Sequence, residues 1–252
     1  SQRLECAWAA RLRRMPDARV VAEGFGASDC HCSTHLVQVS ALPDDSWFAD
    51  NLGAEREAMA SRTVIELLHA LSTGNEDARE DASSALGQHG AAAIQPLSEM
   101  LSEDDADARW WAARALAEVG GPGAVQPLIN VLADPDPDVR ACAALALGRI
   151  GQPQAAADVA ARLDDGSAFV ASIASDALTM IGEPAVETLA SMLTEEKAHT
   201  RLLAVRALGR IGSQRAIDPL FRALEDDSYL VRYYAQEALE TLGVGVLYLA
   251  QA

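Results

Sequence analysis

At 252 residues the chain is long enough either for one large core or for a row of small units. Half of its residues are apolar but only 5% are aromatic, a balance that favours close packing of alanine- and leucine-rich helices over a sheet core. Its 37 acidic against 20 basic residues give a formal net charge of −17, which repels a phosphate backbone and excludes nucleic acid as an expected partner.

No run of roughly 18 apolar residues is present, and no basic region leads into an apolar core and cleavage site, so a cytoplasmic protein away from the membrane is expected. Cys6, Cys30 and Cys32 crowd the first 32 residues and Cys142 stands alone. That distribution is unlike a disulfide framework, and reduced thiols are expected.

Residues 1–54 read as a small α+β cap. Gln2 to Met15 suit a short amphipathic helix ending before Pro16, and Arg19 to Phe25 and His35 to Leu42 suit two short strands of a hairpin. The loop between the strands carries Cys30 and Cys32, with His35 opening the second strand, and thiolates with an imidazole are ligands that zinc prefers. A fourth ligand would have to come from Cys6 or His31, and the C-x-x-C spacing of a metal knuckle is missing, so an unliganded loop is the simpler reading. A metal or redox sensor built on this cluster is an alternative function.

Residues 55–243 follow a repeat. Glycines recur at Gly90, Gly120, Gly151, Gly182, Gly212 and Gly243, in steps of 30 or 31. Four residues before each stands Leu86, Leu116, Leu147, Leu178, Leu208 or Leu239, and alanine stands five and eight before in all six copies. These spacings of three and four make one apolar stripe on a helix of about 13 residues, called B here. Its start is marked by Asn75, Asp105, Asp136, Ser167 and Ser228, whose side chains can accept from free first-turn N–H groups, while the fifth copy has Lys197.

A preceding helix A is marked by Leu67, Leu97, Leu128, Val159, Leu189 and Leu220, each followed by a leucine four residues later. The link from A to B is too short for anything but an antiparallel hairpin. One hairpin cannot cover its own apolar face, but six in a row can. The expected fold is therefore all-α, an α-α superhelix of six helix pairs. The tail 244–252 is apolar and too short for another repeat, so it is expected to fold back on the last pair.

The run from Asp134 to Gly151, DPDPDVRACAALALGRIG, and its echoes DADARWWAARALAEVG and DSYLVRYYAQEALETLG resemble the HEAT-like repeat named after phycobilisome lyases. The resemblance covers about residues 55–243 and implies a HEAT-like solenoid. Proteins of that family include chromophore lyase subunits that attach bilins to phycobiliproteins, phycobilisome-degradation factors and scaffolds without chemistry of their own. It implies a bilin or other tetrapyrrole as an alternative ligand, and it transfers no catalytic residue.

Arginine stands 11 residues before the glycine at Arg79, Arg109, Arg140, Arg201 and Arg232, with Ala171 in the fourth copy. An anion-binding ladder is one reading. The structural one, pairing with acidic link residues of the same or an adjoining repeat, suits the planar guanidinium better. Opposite the buried stripe of helix B the residues vary freely, as expected of a recognition face. Trp110, Arg114, Arg206, Arg210 and Tyr233 are residue types that dominate interfaces and are the candidate partner-binding set. The expected function is a scaffold or adaptor that binds another protein, and the alternative that the family resemblance implies is a chromophore lyase subunit or a chromophore-binding chaperone.

Overall fold

The computed structural model describes residues 63–244. The chain divides into two units, Ser1–Ala58 and Met59–Ala252, and all described residues belong to the second. The expected N-terminal cap, its helix and strands, and the tail 245–252 lie outside the described residues.

Twelve α-helices and no strand are found among the described residues. They are α1 (63–73), α2 (Glu76–His89), α3 (Ala91–Met100), α4 (Ala106–Val119), α5 (Val125–Val131), α6 (Pro137–Ile150), α7 (Ala156–Ala160), α8 (Ala168–Ile181), α9 (Val186–Met192), α10 (Ala198–Ile211), α11 (Ile217–Ala223) and α12 (Tyr229–Thr241). Odd-numbered helices are the A helices and even-numbered ones the B helices. From α3 onward each A helix packs on the B helix that follows it, and the B helices pack on one another in succession. The six expected pairs are all present, so the all-α solenoid is the observed fold.

The leucine frame explains the stacking. Leu86, Leu116, Leu147, Leu178, Leu208 and Leu239 are all buried, and so are Leu97, Leu128, Val159, Leu189 and Leu220 from the A helices. The first five B helices end at their frame glycine and the sixth stops at Thr241, two residues before Gly243, and at Gly151 and Gly212 the backbone takes the left-handed conformation, φ +69 in both, that closes a helix on its own last carbonyls. Most A helices are shorter, down to five residues in α7, and all four from α5 onward are entered through a 3-10 turn, as at Pro122–Ala124 and Pro153–Ala155.

Asn75, Asp105 and Asp136 cap their helices as expected, with Asn75 accepting from the N–H of Ala78 at 3.0 Å and Asp136 from that of Asp138 at 2.8 Å. Ser167 and Ser228 stand at the cap position but their side chains make no capping bond. Their own N–H groups donate instead to Asp165 and Asp226, two residues earlier, which fixes the turn from the other side.

Those aspartates belong to rungs between repeats. Arg109 donates two hydrogen bonds to Asp134, Arg140 two to Asp165 and Arg201 two to Asp226, each reaching 25 residues ahead into the next link. The third nitrogen of each guanidinium donates to carbonyls of its own link, Glu103 and Asp104 for Arg109, and Glu195 and Glu196 for Arg201. The structural reading of the arginine column is therefore the correct one. Ala171 interrupts it, and the fourth and fifth pairs are tied by an exposed contact between Lys197 and Asp164 at 2.6 Å.

A second spacing device was not read from the sequence. A Cβ placed on Gly148 would lie 2.7 Å from the Cα of Ala177, and one on Gly209 2.9 Å from the Cβ of Ala238. Glycine three residues before the frame glycine thus lets α6 approach α8, and α10 approach α12, at backbone distance.

Candidate functional site

The B helices expose a common face. Six of the seven large apolar side chains exposed among the described residues belong to them: Leu145, Phe169, Met180, Tyr229, Leu230 and Tyr233. The seventh, Ile65, is on α1. Exposed apolar groups gathered on one set of helices carry more meaning than the same groups scattered singly.

Over the first four B helices this face hollows into an open groove of about 1000 Å³. Its apolar part is formed by Trp110 and Trp111 of α4, Leu145 of α6, and Phe169 and Ile173 of α8. The two tryptophans meet edge to face at 5.0 Å between ring centres, with Trp111 buried and Trp110 half-buried. Phe169 is 55% exposed. Around them stand the carboxylates of Glu76, Asp77, Glu80, Asp107, Asp136 and Asp138, against the two guanidinium groups of Arg79 and Arg114.

Both cations are already engaged. Arg79 pairs with Asp107, and Arg114 with Glu80 one repeat earlier. The hydrogen bond from Arg114 holds the Glu80 carboxyl below the usual carboxylate range. Cys142, on the groove's edge, donates to the carbonyl of Trp110 at 3.6 Å, and burial pushes its thiol up to about 12. It stays a protonated thiol at neutral pH and has no nucleophilic character.

The candidate residues read from the sequence fall into three situations. Trp110 lines the groove, and Tyr233 is exposed on α12, meeting Tyr234 edge to face at 5.3 Å. Arg114 and Arg210 reach the same face but are bound to Glu80 and Asp176 of the preceding repeats. Arg206 lies over the ring of Tyr234 at 5.5 Å and has no carboxylate partner among the described residues. Trp110 and Tyr233 are four pairs apart in the array, from the second to the sixth, so the set marks a face and not one pocket. Phe169, Leu145 and the acidic residues were not singled out, although their offsets from the frame glycine place them on this face.

Cys30, Cys32 and His35 lie outside the described residues. Among the described residues no group of three or more His, Cys, Asp or Glu is arranged to hold a metal ion. No single helix among them is long and apolar enough to cross a membrane.

Residues 94–179 and 161–240 match the family model described as HEAT repeats, and together they span more than half of the chain. The chain belongs to the HEAT-repeat family. Residues 1–57 match a domain of unknown function, DUF123. Comparison of this HEAT-repeat chain with curated proteins finds no match.

Among solved structures, the complex of CpcE and CpcF of phycocyanin lyase from Nostoc sp. is similar at 24% identity and TM-score 0.44, over 70% of this chain and 76% of that one. An engineered protein is similar at 24% identity and TM-score 0.43, over 72% of this chain and 97% of that one. Human deoxyhypusine hydroxylase is similar at 22% identity and TM-score 0.41, over 76% of this chain and 88% of that one.

Proposed function

We propose that this HEAT-repeat chain is a binding scaffold that holds another protein against the exposed face of its B helices. The observation that carries the reading is the gathering of exposed apolar and aromatic side chains on that face, from Leu145 and Phe169 to Tyr229 and Tyr233. Aromatic anchors in a continuous face are what protein interfaces use, and the interior of the array is already filled by the leucine frame.

A chromophore-carrying role in the manner of the phycobilisome lyases fits the groove less well. Propionates of a bilin would meet a lining whose arginines are spoken for and whose remaining charged side chains are all acidic. Absorbance of the protein mixed with a bilin tests that reading directly, because a fixed pigment changes its spectrum.

The scaffold reading is tested by capture from the source cells with the full chain as bait, beside Phe169→Glu and Tyr233→Glu variants of unchanged melting temperature. The expected result is a partner held by the parent chain and lost from at least one variant. Equal recovery by all three baits places binding elsewhere.

A further inference from the structure

The geometry points to an extended, arginine- or lysine-bearing segment of a partner protein as the occupant of the groove across α2, α4, α6 and α8. This deepens the scaffold reading and rests on it. The argument begins with charge. Six carboxylates face two guanidinium groups in the groove lining, which leaves four negative charges.

An opposing effect has to be weighed, because B helices present their N-termini here and each carries about half a positive charge. Four such ends supply too little to cancel four carboxylates. Their N–H groups are also partly occupied, since Asn75, Asp105 and Asp136 accept from first-turn amides of α2, α4 and α6. The groove stays acidic, and an anion gains nothing by entering it.

The carboxylates are not equivalent. Asp107 and Glu80 are neutralised by Arg79 and Arg114, and Asp136 is a cap. Glu76, Asp77 and Asp138 remain, all exposed and without a cationic partner among the described residues. They sit in the first turns of α2 and α6, on either side of the Trp110 and Trp111 pair.

The apolar surface decides between a bare cation and a protein segment. Phe169 and Leu145 are exposed in the same groove as the free carboxylates, so the occupant has to offer apolar side chains as well as cations. Aromatic rings also accept guanidinium groups on their faces, and this chain already does so internally, with Arg79 lying 6.0 Å from the ring centre of Trp111. Three spacings of about 8 to 10 Å between packed helices give the groove a reach of roughly 25 to 30 Å. An extended chain of about eight or nine residues covers that distance. Basic side chains interleaved with apolar ones match both sets of groups.

The test uses two fluorescent peptides of about nine residues, one alternating arginine with leucine and one alternating glutamate with leucine, with binding to the full chain read by anisotropy. The basic peptide is expected to bind, weakening as salt rises, and the acidic peptide is expected not to bind. Because the chain is acidic throughout, the location has to be tested separately. Asp77→Asn with Asp138→Asn should weaken the basic peptide about tenfold. Asp158→Asn with Asp218→Asn, the same change in charge on exposed positions of A helices, should alter it less than about twofold. Equal weakening by the two pairs, or equal binding of the two peptides, overturns the assignment. If neither peptide binds while Phe169→Glu still loses the captured partner, the scaffold reading stands and the basic-segment assignment falls.

Discussion

Arg140 and Asp165 are joined by two parallel hydrogen bonds, Nε to Oδ2 at 3.0 Å and Nη2 to Oδ1 at 2.9 Å, across 25 residues of chain. The same arginine donates through Nη1 to the carbonyls of Asp134 and Pro135, so one side chain stitches its own link to the next. Arg140→Ala removes both hydrogen bonds that the arginine donates to the Asp165 carboxylate, whose side chain is only 4% exposed, and leaves it only Arg162, 3.9 Å away, as a cation. A loss of about 2 to 4 kcal/mol is expected by urea denaturation. Arg140→Lys should recover less than half of it, because an ammonium cannot reproduce the planar fork.

Acid should weaken the rungs in a defined window. Burial works to raise the Asp165 carboxyl, but hydrogen bonds from Arg140 and from the N–H of Ser167 outweigh it and hold the group below its ordinary value. Asp134 behaves alike, and at Asp226 the hydrogen bonds from Arg201 are the leading cause of the same depression. A carboxyl depressed on folding contributes its full stabilisation above the unfolded value of about 3.9 and loses it as pH falls through the folded value. Stability should therefore drop across the acid interval that opens below about pH 4. Asp165→Asn should lower stability at neutral pH and show a smaller further drop across that interval.

Leu147 is wholly buried in the middle of the stack and occupies the frame position filled by leucine in every pair. Leu147→Ala should cost about 2 to 4 kcal/mol, from lost transfer energy and the cavity left behind. A loss of the size of a surface change, below about 0.5 kcal/mol, would be incompatible with that packing.

Gly148→Ala is a test of opposing terms. Alanine in place of a mid-helix glycine contributes up to about 1 kcal/mol through helix propensity. The new methyl group, however, would stand 2.7 Å from the Cα of Ala177, a backbone atom that cannot step aside. The expected outcome is net destabilisation. Gly166→Ala, where nothing lies within 4 Å, should leave the unfolding midpoint nearly unchanged.

With Cys6, Cys30 and Cys32 replaced by serine, Cys142 should react with a disulfide reagent only slowly at neutral pH. Its thiol is held up to about 12 by burial, so the thiolate is scarce until the fold opens. Denaturant should bring the rate to that of a free thiol. Fast reaction in the folded chain would show that α4 and α6 separate readily.

The frame of the array was legible because it repeats: a leucine, two alanines and a glycine at fixed offsets report one buried environment in every copy. Capping by Asn75, Asp105 and Asp136 was legible for the same reason. The roles of Ser167 and Ser228 were not, because residue type does not separate them from Asp136, whose N–H likewise donates to an aspartate two residues earlier and whose side chain still caps its helix. On the recognition face, Arg114 and Arg210 have the right residue type and exposure for a partner. Their carboxylates, Glu80 and Asp176, stand 34 residues earlier, and only the register between successive B helices shows that they meet. The tight approach at Gly148 was hidden likewise, since it depends on the partner position at Ala177.

The rungs and the close approaches join residues about one repeat apart, so the packing of this array has a low contact order. A helix pair needs only its neighbour to become ordered, and ordering can start at any pair and spread in either direction. The spread is not uniform. Between the fourth and fifth pairs Ala171 supplies no guanidinium, and in place of the two-pronged rung stand weaker contacts: Lys197 and Thr200 on Asp164, the Ser175 hydroxyl donating to the Leu203 carbonyl, and the exposed pair of Arg210 with Asp176. Cooperativity is therefore lowest at that joint, and partial unfolding there divides the array into two blocks, each still holding intact rungs of its own.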